Sequence, residues 1–141
     1  MGKKWKQIAL GVAILAVVAF CADTMVGHFA QKKRQAQYQS QLASYRIAVK
    51  LGITRYELEA YLQSQHATFR HLCCLPFVKS GSGYADIVEI GSENPPWYCN
   101  HSNIYIAFEF PRDETQDVVA EPRGSDRLQN IELFPYLEEC M

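Results

Sequence analysis

Leu51-Gly52-Ile53-Thr54-Arg55-Tyr56-Glu57-Leu58 has the pattern of a tight corner between two helices. Gly52 suits the left-handed conformation that ends many helices. Thr54 has the side chain of an N-cap residue, and Glu57 stands three positions later, where its carboxylate can complete a capping box. Ile53 can pack on Leu58 as a hydrophobic staple. This octapeptide predicts that one helix ends near Gly52 and that a second begins just after Thr54.

Apolar residues on both sides of the corner continue the helical period. Before the corner, four residues recur at i, i+4, i+7 and i+11, which places them on one helix face: Tyr38, Leu42, Tyr45 and Val49. After the corner, the second helix is expected to run to about Gln65 and to bury Leu58, Tyr61 and Leu62. The corner thus joins two helices that each have an apolar face.

The first thirty residues contain a long apolar segment. Its uncharged core, Ile8 to Ala22, is 15 residues long and follows the basic residues of Lys3 to Lys6. A weaker apolar continuation reaches Ala30, before the basic cluster Lys32-Lys33-Arg34. A signal-peptide core needs about 7 to 15 apolar residues, and a helix that crosses a bilayer needs about 20. The segment therefore fits either a membrane anchor or an export signal.

We expect two parts in the chain: an N-terminal membrane anchor or signal segment over residues 1–30, and one domain over residues 31–141. As an uncleaved anchor, residues 4–30 would contact the membrane. The alternatives are cleavage near Ala19-Phe20-Cys21, and a lipoprotein at Cys21, for which the bulky Phe20 is unfavourable. Basic residues stand on both sides of the segment, so the positive-inside rule hardly indicates its orientation.

After the second helix the pattern changes to that of β-strands. Four stretches rich in strand formers are separated by loops at residues 80–83 and 91–96: Phe69 to Cys74, Tyr84 to Ile90, Asn103 to Phe110 and Leu128 to Leu137. The third places Ile104, Ile106, Phe108 and Phe110 on one face, opposite Tyr105, Ala107 and Glu109, which predicts a sheet with one wetter side. The fold class is therefore α+β: a helix pair packed on a small antiparallel sheet of three to four strands.

The charge balance of the domain argues against nucleic acid as a partner. Three of the 14 Lys and Arg precede Gln31 and only one of the 15 Asp and Glu does, so 11 basic and 14 acidic residues remain, a formal net charge of −3. Nucleic-acid binding requires a basic face. The long acidic connection from Pro111 to Asp126 is expected to be a solvated loop, because its carboxylates lack the close spacing of a calcium loop.

Four cysteines fall in the domain: Cys73, Cys74, Cys99 and Cys140. An even number in an exported domain indicates two disulfides. Adjacent cysteines rarely bridge each other, so Cys73 and Cys74 are each expected to pair with one of the other two. The sequence does not indicate which pairs with which.

The chain resembles the small BamE-like (SmpA/OmlA) domains of bacterial envelopes. The likeness covers about residues 45–137 and rests on the corner Gly52-Ile53-Thr54-Arg55-x-Glu57-Leu58, on the strand Ile104 to Phe110 and on the last strand from Leu128. In that family two helices joined by a similar corner precede a three-stranded antiparallel sheet. The resemblance implies a non-catalytic interaction domain in the bacterial envelope. We accordingly expect a single-pass inner-membrane protein with its domain in the periplasm, or, after signal cleavage, a secreted or periplasmic one.

A thiol- or zinc-dependent enzyme is the alternative function. It would be centred on two imidazoles and three thiols: His71, Cys73, Cys74, Cys99 and His101. Neither half of this set has the usual Cys-x2-Cys spacing, and in an oxidising compartment the thiols would form disulfides. We therefore expect no metal, no cofactor and no catalytic residues.

The pair Trp97 and Tyr98 is the preferred candidate for binding. It follows Pro95-Pro96 and precedes Cys99 in a predicted loop. Aromatic residues are enriched at protein interfaces, so the pair can form an exposed recognition patch; the alternative is a lid that closes the core beside a Cys99 bridge. The sequence thus predicts a membrane-anchored, disulfide-stabilised domain that binds another envelope protein.

Overall fold

The structure is a computed structural model, and it describes residues 2–77, 81–111 and 123–141. Six elements follow in chain order: α1 (Gly2–Ala48), α2 (Arg55–Ser64), β1 (Phe69–Phe77), β2 (Gly81–Glu93), β3 (Cys99–Phe110) and β4 (Asn130–Cys140). The chain divides into two compact units, Met1–Gln37 and Tyr38–Met141, with α1 contributing to both.

The first unit consists of the N-terminal part of α1. Among the described residues, α1 is long and apolar enough to cross a membrane, by length and composition, and a signal sequence meets the same test. Its large apolar side chains from Val12 to Phe29 are exposed within this single chain.

The second unit has the predicted α+β architecture, with α2 packing on a four-stranded antiparallel sheet. The strand order is β1-β2-β3-β4, and every neighbouring pair is antiparallel. Irregularities in register occur in β1 between Cys73 and Leu75 and in β2 between Glu89 and Gly91. Pro135 lies in β4, an edge strand, which is where a residue without a backbone N–H is tolerated in a sheet.

The main core lies between the helices and one face of the sheet. From the helices it contains Leu42, Val49, Leu58 and Leu62, and from the sheet Val88, Ile106, Phe108, Phe110 and Ile131. Tyr45 packs edge-on against Phe108, with ring centroids 5.4 Å apart. The predicted burial of Leu58 and Leu62 is confirmed, and Tyr61 is partly buried beside them.

The predicted corner forms, but its glycine acts differently. Thr54 is the N-cap of α2, and both hydrogen bonds of the capping box with Glu57 are present. Helix α1, however, ends at Ala48, four residues before Gly52, whose φ is +87°. The Gly52 N–H donates to the carbonyl oxygen of Leu128, so the glycine turns the chain into a short ladder with the segment before β4.

Part of the predicted acidic loop completes this ladder. The backbone N–H groups of Arg55 and Tyr56, at the start of α2, donate to the carbonyl oxygens of Asp126 and Gly124. These donors have no partner within a helix, and the loop satisfies them. Residues 112–122 of the predicted loop lie outside the described residues, but residues 123–126 hold the helix corner in place.

The predicted wetter side of β3 is wrong. Tyr105, Ala107 and Glu109 are all buried on the sheet face opposite the helices. Partly buried Phe134 and Tyr136, whose rings stack, pack against this second cluster from β4, as Leu72 does from β1. Side chains on the neighbouring strands thus exclude water from the middle strands, an effect that the alternation along one strand does not reveal.

Candidate functional site

The predicted binding pair occupies a tight turn between β2 and β3. The N–H of Cys99 donates to the carbonyl oxygen of Pro96 at 2.9 Å, so Trp97 and Tyr98 are the two central residues of a β-turn. Trp97 is 89% exposed and Tyr98 42%, and their rings meet edge to face. With this exposure, Trp97 does not close the core, contrary to the lid alternative.

A disulfide fixes the base of this turn. Cys99 on β3 is bonded to Cys140 on β4, the residue directly opposite in the register, with the two Cα atoms 4.0 Å apart. The N–H of Met141 donates to the carbonyl oxygen of Tyr98 at 2.9 Å. The turn is therefore held on both sides of the bridge, which limits the backbone entropy that Trp97 would lose on binding.

A further exposed apolar side chain adjoins the turn. Met141 is 94% exposed, and it follows the bridge residue Cys140 and donates its N–H to Tyr98. We call the set Trp97, Tyr98 and Met141 the aromatic end. The neighbouring Glu139 carboxylate accepts from Asn100 Nδ2 at 2.9 Å and lies 3.8 Å from His101 Nε2. An apolar centre with a polar rim is the usual organisation of a protein-binding surface.

The predicted disulfide pairing is wrong. Because Cys99 is bonded to Cys140, neither can bridge Cys73 or Cys74. Cys73 is itself disulfide-bonded, and the side chain of Cys74 lies outside the described residues. Cys21 is a free thiol.

The five residues of the alternative enzyme site are not brought together. The two imidazoles lie far apart along the sheet. His71 on β1 stands opposite Asp86 on β2, and Asp86 stands opposite Phe108 on β3, so His71 lies level with Phe108. His101 lies seven residues earlier on β3, which is about 23 Å along a strand. With Cys99 and Cys140 oxidised to a disulfide, that end of the sheet has no thiolate to offer as nucleophile or zinc ligand.

A charge cluster around a buried ion pair is the polar feature that sequence reasoning missed. Arg55, only 3% exposed, donates from Nε to Asp86 Oδ2 at 3.0 Å and from Nη2 to Asp86 Oδ1 at 2.7 Å. Its Nε also lies 3.1 Å from Glu59 Oε1, and Nη2 contacts the ring of His71. The His71 ring in turn lies 2.5 Å from the Asp86 carboxylate. The charge cluster therefore consists of Arg55, Glu59, His71 and Asp86.

Three residues of the charge cluster have the geometry of a possible cation site. Glu59, His71 and Asp86 each offer a ligand atom within 4.8 Å of the others. The guanidinium of Arg55 already fills this position and forms ion pairs with both carboxylates. A metal ion would have to displace a buried, bidentate arginine, so the chemistry of the cluster is that of an internal ion pair.

One signal in the sequence could have indicated this pair. Asp86 stands at the same parity as Tyr84 and Val88, both of which are buried. A carboxylate at an inward position requires a buried cation or several donors. Arg55, at the first position of α2, is the basic residue of the predicted helix pair that is closest to Asp86 in the sequence.

Comparison with known proteins gives no relative: no family model, no curated protein and no solved structure matches this chain.

Proposed function

We propose that this chain is a membrane-anchored envelope protein whose disulfide-stabilised domain binds another envelope protein through the aromatic end, without catalysis. The observation that carries the proposal is the exposure of Trp97, at 89%, on a turn fixed by the Cys99–Cys140 bridge. Exposed apolar side chains that adjoin one another, as Trp97 and Tyr98 do, are typical of interaction sites. Trp is also the residue type most enriched among binding hot spots.

The compartment in the proposal is the periplasm, with α1 as a signal anchor in the inner membrane. Two features support it: an N-terminal helix that is apolar enough to span, and disulfide-bonded cysteines, which persist in oxidising compartments. Signal cleavage, with release of the domain, is the alternative route to the same compartment.

Kinship with BamE-like domains is also part of the proposal. The order of two helices followed by antiparallel strands, and the capping box at Thr54, agree with that resemblance. The sheet here has four strands, one more than the family pattern.

The non-catalytic part of the proposal has its own physical basis. Cys73, Cys99 and Cys140 are oxidised, so they are not available as nucleophiles. The carboxylates of Asp86 and Glu59 are engaged in ion pairs with Arg55. An enzyme would need a different reactive group.

Site-specific photo-crosslinking in living cells tests the proposal. A photoreactive phenylalanine analogue at position 97 should give a discrete adduct with one envelope protein. The matched control is position 56, because Tyr56 is a similarly exposed aromatic residue, 73% accessible, at the helix corner. Trp97→Ala should abolish co-purification of the adduct partner without changing expression or disulfide content. Equal adducts at both positions, or co-purification that survives Trp97→Ala, would contradict the proposal.

A reporter fusion tests the compartment separately. Alkaline phosphatase, which requires disulfides, should be active when fused after Met141, and a cytosolic reporter at the same place should be inactive. The opposite pattern would place the domain in the cytosol and remove the envelope assignment.

A further inference from the structure

Two exposed lysines follow the apolar part of α1. The exposed large apolar side chains of this helix continue to Phe29, and Lys32 and Lys33, about one turn later, are exposed as well. Arg34, the third residue of the basic cluster, is partly buried. We call Lys32 and Lys33 the lysine pair.

The helix that carries the lysine pair offers it no counter-ion. Residues three and four positions apart are neighbours on a helix surface. Around the lysine pair, these positions contain no carboxylate: His28, Phe29, Ala30, Gln35, Ala36 and Gln37. No Asp or Glu stands between Asp23 and Glu57 in the whole sequence. The positive charge of this part of α1 is therefore not balanced along the helix.

The position of the lysine pair along α1 matches the level of lipid headgroups. If α1 spans a membrane, about 20 residues cover the hydrocarbon layer; counted from Gln7, just after Lys6, they end at Val26. Lys32 then lies about 9 Å of helix beyond that edge. The headgroup layer is about 5–8 Å thick, and a lysine side chain can reach back toward it. The same placement leaves Asp23 near the edge of the hydrocarbon, where a charge is tolerated.

The arrangement of the two side chains favours a charged layer over one compact anion. Successive positions on a helix are about 100° apart, so Lys32 and Lys33 do not face each other. A single small anion would meet one ammonium group at a time. A layer of headgroups surrounds the helix, so both ammonium groups reach it at once.

We propose that the lysine pair binds the phosphate groups of anionic phospholipids in the leaflet next to the domain. The inference rests on the membrane-anchor part of the proposed function and adds a class of lipid to it. Each lysine near an anionic membrane surface strengthens binding by about fivefold. Zwitterionic phospholipids carry the same phosphate group without a net charge, so the lysine pair selects against them.

Photo-crosslinking to lipid tests the proposal at the lysine pair itself. The full-length protein, with a photoreactive phenylalanine analogue at position 29, is placed in nanodiscs with equal amounts of phosphatidylglycerol and phosphatidylcholine. Position 29 is exposed and lies three residues before Lys32, so the analogue labels the lipids around the lysine pair. Mass spectrometry of the adducts should show phosphatidylglycerol in excess by about fivefold or more. Added salt should reduce this excess, because it screens exposed charges.

Charge variants show whether the lysine pair causes the excess. Lys32→Gln/Lys33→Gln should bring the labelling ratio close to one, and Lys32→Arg/Lys33→Arg should keep it. The matched control is Lys50→Gln/Arg123→Gln, which removes the same charge from exposed positions of the domain and should leave the ratio unchanged. Equal labelling of both lipids by the wild type, or an excess that survives Lys32→Gln/Lys33→Gln, would overturn the proposal.

Two further measurements separate the possible failures. Excess glycerol 3-phosphate should not change the labelling ratio; a fall would mean that the lysine pair binds soluble phosphate groups instead of lipid. Extraction of cell membranes with alkaline carbonate should leave the protein in the pellet. Release into the supernatant would overturn both the membrane anchor and this inference, whereas retention with equal labelling of the two lipids would overturn this inference alone.

Discussion

Arg55 and Asp86 form a bidentate ion pair that is almost completely buried, with the guanidinium donating to both carboxylate oxygens at 3.0 and 2.7 Å. The pair joins the first turn of α2 to the middle of β2. The Arg55 guanidinium also lies 5.8 Å from the centroid of the Phe110 ring, a cation–π distance. Together with the backbone ladder to residues 124–128, this contact holds the helix corner over the sheet.

Removal of Arg55 alone should be strongly destabilising. Arg55→Met leaves the Asp86 carboxylate buried without its counter-ion, and breaking a buried pair costs about 3–5 kcal/mol. We expect a loss of that size in the free energy of unfolding, measured by urea denaturation. Arg70→Met is the matched control, because Arg70 is 51% exposed and its pair with Glu138 should contribute less than about 1 kcal/mol.

The double variant Arg55→Met/Asp86→Leu separates loss of the pair from loss of packing. Replacement of a whole buried ion pair by apolar residues is often neutral or stabilising. Stability should therefore return toward that of the wild type. If the double variant is as unstable as Arg55→Met, the buried carboxylate is not the cause.

The capping box at the helix corner was predictable because its interactions are local. The capping box joins Thr54 and Glu57, three positions apart, and the sequence alone shows both partners. Arg55 and Asp86 are 31 residues apart, so their contact depends on how α2 lies on the sheet. No local pattern contains that information.

The disulfide pairing failed for a similar reason. Cys99 and Cys140 meet because β3 and β4 pair in a register that places them opposite each other. The sequence indicated both strands but not their register, and neither predicted strand reached its cysteine: one began at Asn103, after Cys99, and the other ended at Leu137, before Cys140. The exposure of Trp97 likewise follows from a turn that extends beyond the sheet, so the choice between a patch and a lid needed the structure.

Gly91 should be sensitive to the smallest side chain. A Cβ atom at this position would lie 2.7 Å from Tyr38 Cε1, inside the van der Waals limit. Gly91→Ala should therefore lower the free energy of unfolding by about 1–3 kcal/mol, a typical cost of overpacking. Gly124→Ala is the control, because its nearest neighbour would be Tyr56 Cβ at 3.8 Å, an ordinary contact. Tyr38→Leu should relieve the effect of Gly91→Ala; additive losses in the double variant would exclude a clash between these two residues.

The Cys99–Cys140 bridge should stabilise the domain against unfolding. It closes a loop of 41 residues, for which the chain-entropy relation gives about 4 kcal/mol. Cys99→Ser/Cys140→Ser should lower the free energy of unfolding by about this amount in urea. The same variant should weaken partner capture through Trp97, because the base of the turn is no longer fixed. Unchanged stability in the double variant would mean that the unfolded chain gains no freedom when the bridge is removed.

Glu57 should give the corner a defined dependence on pH. The hydrogen bonds from the Thr54 backbone N–H and then from its hydroxyl hold the pKa of the Glu57 carboxyl below the ordinary value of 4.5. A carboxyl whose pKa is lower in the folded state than in the unfolded state contributes stability above the unfolded value, and this contribution disappears as the pH falls through the folded value. The difference in unfolding free energy between wild type and Glu57→Gln should therefore be largest at neutral pH and shrink below about pH 4.5. Thr54→Ala removes the hydroxyl and should reduce the same difference. A difference in unfolding free energy between wild type and Glu57→Gln that stays constant from pH 7 to pH 3 would show that the ionised carboxylate is not what caps the helix.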